Sequence, residues 1–225
     1  MSEDKGALRN AATILLVRRD GAAPQVLMGQ RGAKAAFMPN KFVFPGGAVD
    51  PGDAAVPLAG PLPDVCAGRL ACDTSAEMAR ALAAAAIREL WEETGLVMGV
   101  PGAWPVAPAP DWQDFAGLGL VPSAAGLTYV FRAITPSGRP RRFDARFFLA
   151  DASAVAGDLD DFSRASDELS HLQWIGLEAA RGFDLPFITE VVLAEISAMI
   201  RSGGAPGPVP FFDNSGPESV FRRIP

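Results

Sequence analysis

One histidine, two cysteines and no surplus of positive charge mark this chain, and each scarcity removes a class of function. A structural zinc site takes four cysteine or histidine ligands, and His171, Cys66 and Cys72 are all the sequence offers. Two cysteines six positions apart do not make the disulfide framework of a small secreted fold, so reduced thiols are the expectation. The lone His171 reads as a surface or hydrogen-bonded residue rather than a catalyst. Lys and Arg number 20 against 26 Asp and Glu, which gives a net charge of −6. Nucleic-acid surfaces are basic, so no nucleic-acid partner is expected. No apolar run approaches the ~20 residues that cross a bilayer, and no membrane partner is expected. Residues 1–10 lack the apolar core of a signal peptide, and Arg223-Ile224-Pro225 is not a peroxisomal address of the Ser-Lys-Leu type. A cytoplasmic protein is the expectation.

What is present suits a globular enzyme. Apolar residues make up 49% and charged residues 20% of 225 positions, close to ordinary usage. That length predicts one domain over residues 1–225 with a substantial core. Ala11–Val17 and Gln25–Gln30 read as strands joined by a hairpin turn at Asp20-Gly21 and Pro24. Phe42–Phe44 is a short strand running into Gly46-Gly47. Leu82–Glu93 has an alanine-rich front half, good helix former and thin enough to pack closely on a sheet. Leu127–Ile134, Arg142–Ala150 and Leu172–Ile175 read as strands, and Pro186–Arg201 as a helix. Gly203–Pro210 reads as a loop before an edge strand near Phe211. The order predicts a mixed α/β protein.

The densest chemistry is the run Arg88-Glu89-Leu90-Trp91-Glu92-Glu93-Thr94-Gly95-Leu96. At about 100° per residue, Glu89, Glu92 and Glu93 fall near 0°, 300° and 40° of one helix. Like charges at such spacings cost a few tenths of a kcal/mol each, so a compensating divalent cation is implied. Clustered hard oxygens suit Mg²⁺ or Mn²⁺ rather than zinc. Trp91 points away from the carboxylates and is expected in the core. Upstream, Phe44-Pro45-Gly46-Gly47-Ala48-Val49-Asp50-Pro51-Gly52-Asp53 offers two glycines that permit close backbone approach.

Together these segments resemble the Nudix hydrolases. That family's box runs Gly, five residues, Glu, seven residues, then Arg-Glu, an apolar residue, any residue, Glu-Glu, any residue, Gly and an apolar residue. Arg88–Leu96 fits the second half without mismatch, and Gly47 opens the first. Asp53 stands where the family has glutamate, and a salt bridge to Arg88 is its expected role. Residues 54–87 then intervene, 34 positions where the family pattern has seven. The insertion, at about 54–81, begins rich in Ala, Pro and Gly from Ala54 to Gly68 and reads as an irregular loop. Asp73, Thr74 or Ser75 is placed to cap a helix running through Glu93. Leu58, Leu62, Val65 and Leu70 favour packing of the insertion against something.

A split box narrows the resemblance to the branch that includes the mammalian peroxisomal coenzyme A diphosphatase. The segment Ile134-Thr135-Pro136-Ser137-Gly138-Arg139-Pro140-Arg141-Arg142-Phe143-Asp144-Ala145-Arg146-Phe147-Phe148 is similar to that branch as well. The resemblance implies a Nudix-type α/β/α sandwich with a mixed sheet and a long inserted loop and helix extension. It implies a Mg²⁺- or Mn²⁺-dependent hydrolase of a small-molecule diphosphate, with coenzyme A or its acyl esters as substrate and phosphopantetheine and 3′,5′-ADP as products. ADP-ribose or another nucleoside diphosphate compound is the alternative substrate, and a non-catalytic nucleotide sensor the alternative of another class. A homodimer is a further implication, since family members often pair.

The implied metal ligands are Glu89, Glu92 and Glu93 with the Gly47 carbonyl, and Arg88 is expected to orient them. Glu168, in Glu-Leu-x-x-Leu-x-Trp, resembles a segment where many relatives carry a base or an extra ligand, although an ordinary turn carboxylate is the competing reading. Arg141, Arg142 and Arg146 are candidates for substrate phosphates, because guanidinium binds phosphate bidentately. On a strand, Arg142, Asp144 and Arg146 share a face, so at least one is expected to pair with Asp144. Arg31 is a weaker phosphate candidate.

Overall fold

The structure, a computed structural model, describes residues 7–33, 35, 38–203 and 207–225. Residues 1–6, and 204–206 of the expected Gly203–Pro210 loop, lie outside the described residues. The first elements are β1 (Leu8–Arg18), β2 (Gln25–Arg31), β3 (Phe42–Val43), β4 (Gly46–Ala48), α1 (Asp64–Leu70) and α2 (Ala76–Thr94). Next come β5 (Gly99–Pro101), α3 (Gln113–Gly117), β6 (Leu120–Pro122), β7 (Thr128–Ile134) and β8 (Arg142–Asp151). The chain closes with β9 (Leu169–Gly176), α4 (Phe187–Ser202), β10 (Val209–Asp213) and β11 (Val220–Ile224).

One mixed sheet runs β11-β10-β7-β8-β1-β2-β3, with β4 paired to β1 and β9 to β2. The β1–β8 pairing is parallel, as is β7–β10, and the other pairings are antiparallel. Along β1, Ala12, Ile14 and Leu16 enter one core while Leu15 and Val17 enter another. A strand buried on both faces distributes its side chains in that way. The first core packs Ile14, Leu16, Leu27 and Phe148 under α2, and the second packs Leu15, Met28, Phe147 and Leu149 under α4. This is the expected α/β/α sandwich.

Helix α2 carries the box, and its ends are built for its position. Ser75 Oγ accepts the Met78 N–H at 3.1 Å, so Ser75 is the cap among the three candidates. Ala83–Ala86 are wholly buried, and their small side chains let the helix axis lie close over β1. At its other end Gly95 adopts φ 75° and returns its N–H to Trp91 O. A left-handed terminal residue favours glycine because a Cβ there clashes with the backbone.

The structure departs from the sequence reading in five places. Asp64–Leu70, mostly inside the stretch expected to be irregular, forms α1. Leu62, Cys66 and Leu70 supply it with a buried apolar edge in the core under α2, while Val65 faces solvent. Composition over-weighted the prolines and alanines and missed that i, i+4, i+8 spacing. The strand near Phe211 is not an edge, because β11 pairs outside it; the Arg222-Arg223 pair hid that strand's pattern. Strand β10 also begins at Val209, inside the expected loop. Strand β9 starts three residues earlier than expected, and the β5–β6 pair with α3 was not anticipated.

Candidate active site

Strand β4 and helix α2 bring the two halves of the box together. Gly46 and Gly47 pair with Thr13 and Ala12 of β1, which holds their backbone against α2. The Gly46 N–H donates to Glu93 Oε2 at 2.8 Å. A Cβ built on Gly47 would lie 2.3 Å from Glu89 Oε1, and one on Gly46 2.7 Å from Ala12 O. A side chain at Gly46 is excluded by backbone, whereas one at Gly47 would push the Glu89 carboxylate out of its place.

Arg88 is the hub. Its Nε and Nη2 donate to Asp53 Oδ1 and Oδ2 at 3.0 and 3.2 Å, its Nη2 also reaches Ala48 O, and its Nη1 serves Glu89 Oε1 and Glu92 Oε2 at 2.9 Å each. Asp53 is 2% exposed and Arg88 4%. The expected Asp53–Arg88 bridge is thus present, with a shorter carboxylate made sufficient by the single helical turn at Asp53–Ala55 that begins there. Burial opposes the Arg88 charge, but Asp53, Glu89 and Glu92 together hold its acidity below that of a free guanidinium.

The carboxylates are held under tension. Burial moves Glu89 up to about 7, against the Arg88 charge and hydrogen bond and with smaller upward contributions from Glu92 and Glu168. Glu92 is also raised, chiefly by burial. Glu93 is raised furthest, by burial and then by Glu89, against the Gly46 hydrogen bond and the Arg31 charge. Glu93 Oε1 is buried with no hydrogen-bond partner among the described residues. An unsatisfied buried acceptor costs about 1–3 kcal/mol, more when charged. A cation at this oxygen removes the cost, and the hard-oxygen donors fit Mg²⁺ or Mn²⁺.

Among the described residues, no group of three Asp, Glu, His or Cys side chains is arranged to enclose an ion. Glu92 is drawn aside by Arg88. That arrangement still fits Mg²⁺, which is commonly held by one or two carboxylates together with water and substrate phosphates.

Other candidates divide by position. Glu168 stands at the head of β9 close enough for its charge to raise both Glu89 and Glu93. Arg31, at the end of β2, also acts on Glu93 by its charge, and its Nε is buried with no hydrogen-bond partner among the described residues. Arg146 is 2% exposed, bonds Asn10 Oδ1 and pairs with Asp144 and Asp73. The expected Asp144 partner is therefore Arg146, joined by Arg132, which binds Asp144 through two nitrogens. This buried network ties Asp73 of the insertion to the sheet and leaves Arg146 no surface to offer a ligand. Arg142 pairs in register with Leu8, four residues along β1 from the Ala12–Gly47 pair, about 13 Å away. Its Nε donates to Thr135 O, and Arg141 is exposed beside it. Trp91 lies in the core, as expected, and His171 is exposed.

Sequence reasoning missed what Gly95 and the segment before Glu168 do together. A Cβ on Gly95 would meet Arg164 Cβ at 2.9 Å, and the Ser166 N–H donates to Glu92 O at 2.9 Å. The box glycine thus ends α2 and also seats the segment that carries Glu168. The sequence signal was the glycine itself, whose second role only tertiary contact reveals.

No family model matches the chain. The Caenorhabditis elegans protein named "Putative nudix hydrolase 7" is 30% identical over 178 residues, which cover 74% of this chain and 51% of that protein. The chain thus spans about half the length of the curated relative it matches. Among solved structures, a Nudix hydrolase from Alicyclobacillus acidocaldarius superposes with a TM-score of 0.62 and 26% identity, covering 90% of this chain and 99% of that one. The Nudix domain of Shewanella oneidensis NrtR, solved with ADP ribose, gives 0.50 at 14% identity, covering 86% and 89%, a likeness of fold alone. Box, sandwich and relatives agree, and the chain belongs to the Nudix hydrolase superfamily.

Proposed function

We propose that this chain is a metal-dependent hydrolase of small-molecule diphosphates, and that its substrate is coenzyme A or an acyl-coenzyme A. The single observation that carries the reaction class is the buried, unpartnered Glu93 Oε1 beside Glu89 and the Gly47 backbone. Glu93, Glu89 and the Gly47 carbonyl would hold Mg²⁺ or Mn²⁺, with Glu92 joining once it leaves Arg88. The bound ion supplies charge neutralisation for the diphosphate and lowers the pKa of a coordinated water.

The chain's own residues do the rest. Arg88, fully engaged with Asp53, Glu89 and Glu92, fixes the carboxylates and does not touch substrate. Arg31, whose charge acts on Glu93, takes a phosphate oxygen of the substrate. Glu168, exposed and without a competing salt bridge among the described residues, accepts the proton of the attacking water. Desolvation around Glu93 strengthens each of these interactions by excluding solvent.

The substrate assignment rests on the split box and on the 134–148 segment. Arg141, Arg142 and Arg146 of that segment are not part of the proposed site, given their positions. ADP-ribose is the second reading, as another small-molecule diphosphate that the same metal site would take. Incubating the protein with Mg²⁺ and coenzyme A, acyl-coenzyme A, ADP-ribose or nucleoside triphosphates, with products followed by mass spectrometry, separates these readings. Phosphopantetheine and 3′,5′-ADP are the expected products. AMP and ribose 5-phosphate alone would replace the substrate assignment, and bound nucleotide without cleavage would favour a sensor.

A further inference from the structure

A cavity of about 520 Å³ opens on the outer flank of α2, lined by Trp91, Glu92, Asp114, Gly117, Leu118 and Arg164. Its size is that of a small-ligand site. Glu92 belongs to the box, so the cavity adjoins the helix that carries the proposed reaction centre. Its far wall is α3, which is anchored to α2 through the buried Phe115 against Trp91.

Arg164 is the informative residue. It is exposed and makes no ion pair or hydrogen bond among the described residues. Its backbone is nevertheless fixed. Ser166 N–H is bonded to Glu92 O, Gly95 packs against Arg164 itself, and the Trp174 indole N–H holds Leu159 O. Upstream, Arg18 binds Asp160. Its charge is felt by the exposed Asp161 three residues away, but no hydrogen bond among the described residues holds the guanidinium, so on this anchored segment it stands ready for an external anion. It lies on the Glu92 flank, whereas Arg31 serves the Glu93 flank, so the two cations do not compete for one phosphate.

We propose that this cavity receives a phosphate-bearing sugar of the substrate, outside the diphosphate that is cleaved, with Arg164 as its anion-recognising residue. The inference rests on reading the chain as a diphosphate hydrolase. The two carboxylates in the cavity do not oppose it. Glu92 is paired with Arg88, or with the metal ion once it leaves Arg88, and Asp114 is an acceptor for sugar hydroxyls next to the phosphate. Trp91 and Leu118 supply the apolar wall.

The test is calorimetric binding of 3′,5′-ADP and of 5′-AMP, which differ by one phosphate, to the full chain and to Arg164→Ala and Arg164→Lys. The expected result is at least about 10-fold tighter binding of 3′,5′-ADP by the parent protein. Arg164→Ala should bring the two ligands to near equality without weakening 5′-AMP, and Arg164→Lys should keep part of the preference. A parent protein that binds both alike, or a preference that survives Arg164→Ala, overturns the proposal. Hydrolysis products decide the substrate reading separately. A chain that cleaves coenzyme A with no phosphate preference in binding fails here alone, and one that cleaves only ADP-ribose yet shows the Arg164-dependent preference fails there alone.

Discussion

Each box residue has a physical task that a substitution can isolate. Glu93→Gln keeps an acceptor for Gly46 N–H and removes a buried charge. Melting temperature should hold or rise in the metal-free protein, while turnover falls by more than about 100-fold. A variant of lower stability and normal turnover would contradict this division. Gly47→Ala forces a methyl into the Glu89 carboxylate, and a loss of about 10- to 100-fold in turnover is expected, readable against an unchanged far-UV spectrum. Asp53→Ala strips Arg88 of its bidentate partner. Breaking a buried pair costs about 3–5 kcal/mol, and Glu89 and Glu92 remain to hold Arg88, so denaturant unfolding should report the lower end. Glu89 gives a pH signature. Its carboxyl binds its proton up to about 7 when folded against 4.5 as a free group, so the folded state holds more protons between these values. Stability of the metal-free protein must then fall as pH rises from about 4.5 to about 7. Glu89→Gln should flatten that slope in thermal melts across this range, and an unaltered slope would assign the effect elsewhere.

At the scale of elements, the insertion behaves as part of the core. Leu70 is wholly buried, and Asp73 reaches Arg132 and Arg146. Leu70→Ala should therefore cost about 2–5 kcal/mol, whereas a detachable lid would tolerate it. Calorimetric unfolding distinguishes the two. Helix α2 was legible because its signals are local: Ser75 as cap, an alanine run, a carboxylate stripe and Gly95 as stop. Strands β1, β2, β7 and β8 were legible from apolar runs bounded by turns. Helix α1 and strand β11 were not, because their apolar faces are short and are completed only by contact with α2 and β10. The arginine assignments divided for the same reason. Period two put Asp144 and Arg146 on one face, but nothing in the sequence announced Arg132 or Asp73 on that face with them.

Across the whole molecule, the sandwich serves to press one end of a buried helix against one two-glycine strand. Both cores contribute, since β1 carries residues of each and pairs with β4 at the site. The sequence named Glu89, Glu92, Glu93 and Gly47 from a pattern, and the fold supplies the reason for it: an acceptor, Glu93 Oε1, left unpaired where water does not reach. Affinity for Mn²⁺, read by the loss of the free-ion electron paramagnetic resonance signal, tests that reason without requiring the right substrate. Binding by the parent protein that weakens at least about 10-fold in Glu93→Gln is the expected result. Equal Mn²⁺ affinity in the two proteins would contradict the account.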